Sequence, residues 1–156
     1  MSRFVERISR IIAAAAVAVS GYIHAELYAN HGYRYIHVIG AAFLLQASAG
    51  FAVALLLVVT DSAVIRLGAI GVVVGALSGF FASRTIGVAG FTEHGFTPSP
   101  EAALSVFVEG LALGLLVATE IRRRHLLAAR RVAPYPPRTS QDALDRVQEP
   151  VDRRSH

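Results

Sequence analysis

Residues 20–37, with the sequence SGYIHAELYANHGYRYIH, form a polar stretch between two long apolar runs. The stretch contains three of the six histidines of the chain and four of the five tyrosines. Tyrosine is enriched at membrane–water interfaces, where its ring contacts apolar material and its hydroxyl group reaches water. We therefore predict that this stretch is a polar turn at one face of a membrane.

The rest of the chain contains enough apolar sequence for four membrane spans. Of the 156 residues, 54% are hydrophobic, and the mean hydropathy is +0.51. A helix of about 20 apolar residues crosses the hydrocarbon core of a bilayer. We predict an all-α four-helix transmembrane bundle in a single membrane domain, residues 1–131. Its spans lie at about residues 8–31, 36–59, 63–86 and 101–121, followed by a basic helical extension at 122–131 and a disordered tail at 132–156.

The first apolar run also fits a second interpretation. Arginines precede it, and the small residues Ala18 and Ser20 near its end are typical of the cleavage site of a signal peptide. Apolar character resumes at Tyr22 and Ile23, however, which favours a first helix that is retained.

The absence of two residue types excludes several chemistries. The chain has no cysteine, so a disulfide, a thiolate metal site and a cysteine nucleophile are excluded. It also has no lysine, because all fifteen basic residues are arginine, and this excludes a P-loop lysine and a Schiff base. No hydrolytic motif is present, so a role other than catalysis is favoured.

The arginines indicate the orientation of the chain. They cluster before the first span and after the last one, and a basic flank is typical of the cytoplasmic side. We predict a protein of the cell membrane with both termini in the cytoplasm, and no binding of nucleic acid. The arginines expected to contact lipid headgroups are Arg122, Arg123, Arg124, Arg130 and Arg131.

A histidine–carboxylate group is predicted at the opposite, outer face. Imidazole nitrogens with a carboxylate suit zinc, copper or iron, and two histidines suit the axial positions of a haem. The alternative is that these side chains are simply interfacial, and Arg84 could pair with Glu93 in competition with a metal. The candidate metal ligands are His24, Glu26, His31, His37, Glu93 and His94.

Glu109 is the second candidate site, because it falls well inside the fourth span. A carboxyl group at that depth is costly and suggests a function. Gln46 of the second span and Ser78 of the third lie at a similar depth, so the three residues are predicted to form one intramembrane polar layer. The layer would either support proton-coupled movement or fasten three helices together through hydrogen bonds.

Glycines at a spacing of four residues form stripes on two spans. Such stripes allow a second helix to approach closely in a membrane, where burial of apolar surface gives no driving force. The partner would be another helix of the chain, a second copy or a different membrane protein. The stripes consist of Gly71, Gly75 and Gly79 on the third span, and Gly110 and Gly114 on the fourth.

A resemblance to a group of proteins is present in the first half of the chain. The run His24-Ala-Glu-Leu-Tyr28, the run Gly32-Tyr-Arg34 and the run Ile39–Gln46 resemble small four-span membrane proteins of actinobacteria. The resemblance implies the four-span topology and implies no activity.

Three functions agree with these features. The leading hypothesis is a non-catalytic accessory or assembly subunit that packs through its glycine stripes against a membrane-protein partner. The first alternative is an outward-facing protein that binds a transition metal or haem through the histidine group. The second is a small proton-coupled transporter that uses Glu109.

Overall fold

The computed structural model describes the backbone of residues 3–132 and the side chains of residues 4–129. A short 3₁₀ helix, Tyr33–Tyr35, lies between the first two α-helices, and the described residues contain no β-strand. The architecture confirms the predicted all-α class with four helices. These are α1 (Arg3–Asn30), α2 (Ile39–Val59), α3 (Ala63–Thr85) and α4 (Glu101–Val132).

All four helices are long and apolar enough to cross a membrane. The shortest, α2, has 21 residues and therefore a length of about 32 Å, close to the thickness of the hydrocarbon core. The chain thus has the architecture of a multi-pass membrane protein. The predicted tail at 132–156 lies, apart from Val132, outside the described residues.

The chain divides into two compact units, residues 1–124 and residues 125–156. The first unit contains α1, α2, α3 and most of α4. Of the second unit, the structure describes only the last residues of α4.

The helices alternate in direction, so their connections form two ends. We call the end with the start of α1 and the turn 60–62 the basic end, and the end with the connections 31–38 and 86–100 the loop end. Only the second part of the quoted polar stretch lies in a connection, because residues 20–30 belong to α1. This agrees with the predicted first span at about residues 8–31, and the turn itself is confined to the second part of the stretch.

The helices α1 and α2 approach each other closely at Gly21 of α1 and Gly50 of α2. A Cβ atom added at Gly50 would lie 3.2 Å from the Cα atom of Gly21, and one added at Gly21 would lie 3.3 Å from the carbonyl oxygen of Ala47. Since glycine has no side chain, the two backbones pack almost directly against each other.

The two predicted glycine stripes are not covered by another helix of the described chain. A Cβ atom added at any of their five glycines would meet no other atom within 4 Å. A role of these glycines in packing therefore stays a prediction for a partner outside this chain.

The bundle core has an apolar cluster close to the basic end. Leu57 and Ala69 are completely buried there, together with Ala13, Ala14 and Leu116. A second cluster, which includes Val17, Ile23, Leu27, Val73 and Val108, lies nearer the loop end.

Candidate functional site

Glu109 is buried in the bundle and accepts two hydrogen bonds on one of its oxygens. Only 1% of the residue is exposed. The hydroxyl groups of Ser20 and Ser105 both donate to Oε1, each over 2.7 Å. Among the described residues, both hydrogen bonds to Glu109 go to Oε1, and none is found to the second oxygen, Oε2. One acceptor of a buried carboxyl group is thus left for another molecule.

The sequence supports one of these two contacts and not the other. Ser105 precedes Glu109 by four residues, which places both on the same face of α4. Ser20 comes from α1, and no sequence spacing relates a residue of the first span to Glu109 of the fourth.

The residues of the predicted polar layer have different surroundings. Gln46 and Glu109 line the same cavity, but Gln46 donates its hydrogen bond to the carbonyl oxygen of Val72, over 3.2 Å. Ser78 does not line this cavity and is exposed on α3. Ser78 lies on a different face of α3 from the residues that line the cavity.

The cavity beside Glu109 has a volume of about 310 Å³ and is lined by residues of all four helices and both loop-end connections. A few polar groups converge on a lining that is mostly apolar, which is the usual character of a site for a small molecule. The apolar side chains include Leu27, Ile39, Phe43, Phe80, Val88 and Phe91, and the polar ones include His24, Gln46, Ser83, Ser105 and Glu109.

Tyr33, Glu93 and Arg84 form a hydrogen-bonded group at the loop end of this cavity. The buried hydroxyl group of Tyr33 donates to Glu93, and Arg84 lies 3.1 Å from the other oxygen of that carboxylate. The Tyr33 ring stacks on Phe43 with a centroid separation of 4.6 Å. Burial raises the pKa of Tyr33, and the carboxylate of Glu93 raises it further. This group fixes the 3₁₀ helix against the connection between α3 and α4.

Four of the six candidate metal ligands have separate partners within the described residues. His24 lies against Phe43, with Nδ1 2.9 Å from the carbonyl oxygen of Ser20, and Glu26 accepts a hydrogen bond from Asn30. Glu93 is paired with Arg84, as the sequence suggested.

Nε2 of His31 lies 4.0 Å from Glu101, and His37 and His94 are exposed. In the part of the chain that the structure describes, no three histidine or carboxylate side chains are arranged to hold a metal ion. Binding of a metal or of haem stays a prediction that this geometry does not support.

The basic end contains a network of ion pairs centred on Arg66. Only 5% of Arg66 is exposed, and its guanidinium group lies 2.8 Å from Asp61 and 3.2 Å from Glu120. Arg123 lies 2.5 Å from Asp61 and 3.3 Å from Glu6. The network therefore connects α1, α3, α4 and the turn between α2 and α3.

The pKa of Asp61 is raised by one effect and lowered by others. Partial burial raises it, but the hydrogen bond from Arg123 and the charges of Arg123, Arg66 and Arg10 lower it more. The net effect is a pKa below the ordinary value, because three arginines stabilise the charged form.

The arginines predicted to contact lipid headgroups have mixed surroundings. Arg123 is engaged in the network, and Arg124 pairs with Glu120 over 3.1 Å while remaining largely exposed. Arg122 is exposed and also has a polar interaction. The side chains of Arg130 and Arg131 lie outside the described part, so the contact with lipid stays a prediction.

The cavity is closed towards the basic end and reaches the outside of the bundle through its side. The apolar cluster with Leu57, Ala69 and Leu116 follows Glu109 towards the basic end, and the arginine network lies beyond it. Within the described residues, Glu109 has no continuous polar connection to that end. This arrangement suits the binding of a ligand better than the passage of protons across the bundle. Proton-coupled transport stays a prediction.

Compared with known protein families, curated proteins and solved structures, the chain matches none. The resemblance to four-span actinobacterial proteins therefore stays an expectation. The function has to be inferred from the geometry of the cavity and its buried carboxyl group.

Proposed function

We propose that this multi-pass membrane protein acts by binding a small, mainly apolar molecule in the cavity beside Glu109. The single observation that supports the proposal is the cavity of about 310 Å³, with its apolar walls and its one buried carboxyl group. Such a site can hold the apolar body of a ligand while a polar group of the ligand contacts Glu109.

The protein does not need to be an enzyme for this role. Glu109 is hydrogen-bonded to two serine hydroxyl groups, and neither serine lies beside a histidine side chain that could remove its proton. His24 is directed to the carbonyl oxygen of Ser20 and to the ring of Phe43. These contacts favour recognition over nucleophilic catalysis.

We place the protein in the cell membrane with its basic end in the cytoplasm. The arginine-rich start of α1 and residues 122–131 of α4 support this orientation, because cytoplasmic flanks carry the excess of arginine. The connections 31–38 and 86–100, and the cavity next to them, would then face the outer side.

Equilibrium binding to the full-length protein in phosphatidylcholine nanodiscs tests the proposed function. The probes are radiolabelled dodecan-1-ol and dodecylamine, which share one alkyl chain and differ in the head group. We expect saturable binding of at least one probe at one molecule per chain. Ala76→Phe, which fills the cavity from α3, should abolish the saturable component. If both probes only partition into the bilayer, equally with and without the protein, the proposal is wrong.

An accessory subunit is the second candidate function. The uncovered stripe of Gly71, Gly75 and Gly79 supports it, because a helix of a partner membrane protein could approach the backbone of α3 there. Gly71 belongs to the stripe but does not line the cavity, so a change at this residue separates the two functions.

Purification from the native membrane after mild solubilisation tests the accessory role. We expect one stoichiometric partner with the unchanged protein, and loss of that partner with Gly71→Leu. The control is Val74→Leu, an exposed position on the same helix whose side chain is already large. Repeated isolation without any partner would refute this candidate function.

A further inference from the structure

Glu109 is a buried carboxyl group that no arginine neutralises. The other carboxylate of the cavity lining, Glu93, lies 3.1 Å from Arg84. Among the described residues, Glu109 accepts hydrogen bonds from two neutral hydroxyl groups and forms no ion pair. A charged carboxylate without a partner is costly to remove from water, so a cation at Oε2 would stabilise the charged form of Glu109.

Arg84, the only arginine in the cavity lining, is fully engaged elsewhere. Its guanidinium group donates to the carbonyl oxygens of Gly95 and Thr97 over 2.6 and 2.7 Å, in addition to its contact with Glu93. It also donates to a third carbonyl oxygen and to a serine hydroxyl group. A negatively charged ligand would therefore find no available arginine, whereas a positively charged one would find Glu109.

The cavity opens sideways between α2 and α3. Ala42 and Leu45 of α2, and Gly75 and Gly79 of α3, line the cavity and are also exposed on the outside of the bundle. The glycines have no side chains that could close this opening. Further towards the basic end, the hydrogen bond from Gln46 connects the two helices again.

The depth of this opening indicates what surrounds it. Leu45 and Gly79 each lie six residues from the loop end of their helix, which corresponds to about 9 Å, and Gly75 lies about 15 Å from that end. In a bilayer these positions contact the acyl chains and not water. A ligand that uses the opening therefore comes from the hydrocarbon region.

We propose that the cavity binds a cationic amphiphile from the membrane, a long-chain amine whose ammonium group contacts Oε2 of Glu109 and whose alkyl chain extends through the opening between α2 and α3. The proposal rests on the proposed function and adds to it the charge of the ligand and its route. The ammonium group would donate to Glu109, and the ring of Phe43 and the side chains of Leu27 and Leu45 would contact the chain.

The two probes in nanodiscs test the charge of the ligand. Hydrogen bonds to a charged group are roughly twice as strong as those between neutral groups, so dodecylamine should bind about tenfold more tightly than dodecan-1-ol. Glu109→Gln should remove this preference, while Glu26→Gln, a carboxyl group outside the cavity, should keep it. Thermal unfolding of each variant verifies that it is folded.

Three results overturn the proposal in different ways. Equal binding of both probes, unchanged in Glu109→Gln, would refute a cationic ligand and leave binding in the cavity intact. Tighter binding of dodecanoate than of dodecylamine would show the opposite charge preference. If neither probe binds saturably, the proposed function fails together with this inference.

Two glycine variants test the route by which the ligand enters the cavity. Gly79→Leu places a side chain at the opening and should abolish binding of dodecylamine, whereas Gly110→Leu, on an exposed face of α4 away from the cavity, should leave it unchanged. Unchanged binding in Gly79→Leu would refute access between α2 and α3.

Discussion

The basic end of the bundle and the region around Glu109 differ in how their buried ionisable groups are paired. At the basic end, the carboxylates of Asp61 and Glu120 both lie against arginines, and Arg66 is buried between them. Near the loop end, Glu109 is almost completely buried and has only two hydroxyl groups as partners. A paired charge contributes to the structure, whereas an unpaired one costs free energy and is kept when it has another use.

The apolar packing also differs between the basic end and the loop end. Leu57, Ala69 and Leu116 fill the bundle near the basic end, whereas the loop end encloses a cavity. An unfilled cavity lacks the van der Waals contacts of a filled core, so the loop end is packed less tightly than the basic end. We therefore assign stability to the basic end and ligand binding to the loop end.

The largest effect is expected for Arg66→Ala. This change leaves Glu120 and Asp61 without their shared buried partner, so the free energy of unfolding should fall by about 3 kcal/mol. Denaturant titration of the protein in detergent measures it. Arg124→Ala is the matched control, because Arg124 is largely exposed and its pair with Glu120 is worth only about 0.3 kcal/mol. An equal loss of unfolding free energy in both variants would show that the network does not depend on the buried Arg66.

The next largest effect concerns the contact between α1 and α2. Gly50→Ala forces a methyl group to within 3.2 Å of the Cα atom of Gly21, which should destabilise the protein by about 2 kcal/mol. Gly71→Ala meets open space and should change the stability by less than about 0.5 kcal/mol. A large loss for Gly71→Ala in the purified protein would mean that a second copy covers this stripe.

A gain in stability is expected at the loop end. Glu109→Met replaces an unpaired carboxyl group with an apolar side chain of similar length, and the free energy of unfolding should rise by about 1 kcal/mol. Ser20 and Ser105 can then donate to carbonyl oxygens of their own helices. Binding of dodecylamine should be lost in the same variant. A clear loss of stability would instead support the interpretation that Glu109 mainly fastens helices together.

The smallest effect is expected for the contribution of Asp61 to the pH dependence of stability. The pKa of Asp61 is lower in the folded protein than in the unfolded chain, so its contribution is present above the ordinary pKa of about 4 and is lost as the pH falls through the folded value. In Asp61→Asn, the midpoint of thermal unfolding should therefore decrease less steeply below pH 4 than in the unchanged protein. Identical slopes in the two proteins would show that the arginines do not stabilise the charged form.

Much of the fold was predictable from the sequence, because a membrane span is a local property. Each span is a run of apolar residues long enough for one helix, and the ends of α2 and α3 were predicted to within a few residues. The first span, predicted at about residues 8–31, corresponds to α1 and contains the polar residues Ser20 and His24. Polarity alone does not separate a turn from a helix whose polar side chains face a cavity.

The candidate site was less predictable. The depth of Glu109 along its span identified it, and the spacing of four residues could have identified Ser105. Gln46 lines the cavity and Ser78 does not, because a similar depth in two helices does not fix the direction in which each side chain points.

The sequence by itself determined four apolar helices, their approximate ends and one carboxyl group inside a span, because helix length and hydropathy depend on neighbouring residues alone. Only the tertiary structure decided which helices touch and how they are rotated about their axes. That rotation brings Ser20 to Glu109, packs Gly21 against Gly50 and leaves Gly75 and Gly79 open. The physical reason is that contacts between helices depend on the packing of side chains distant in the chain, which no local pattern of polarity encodes.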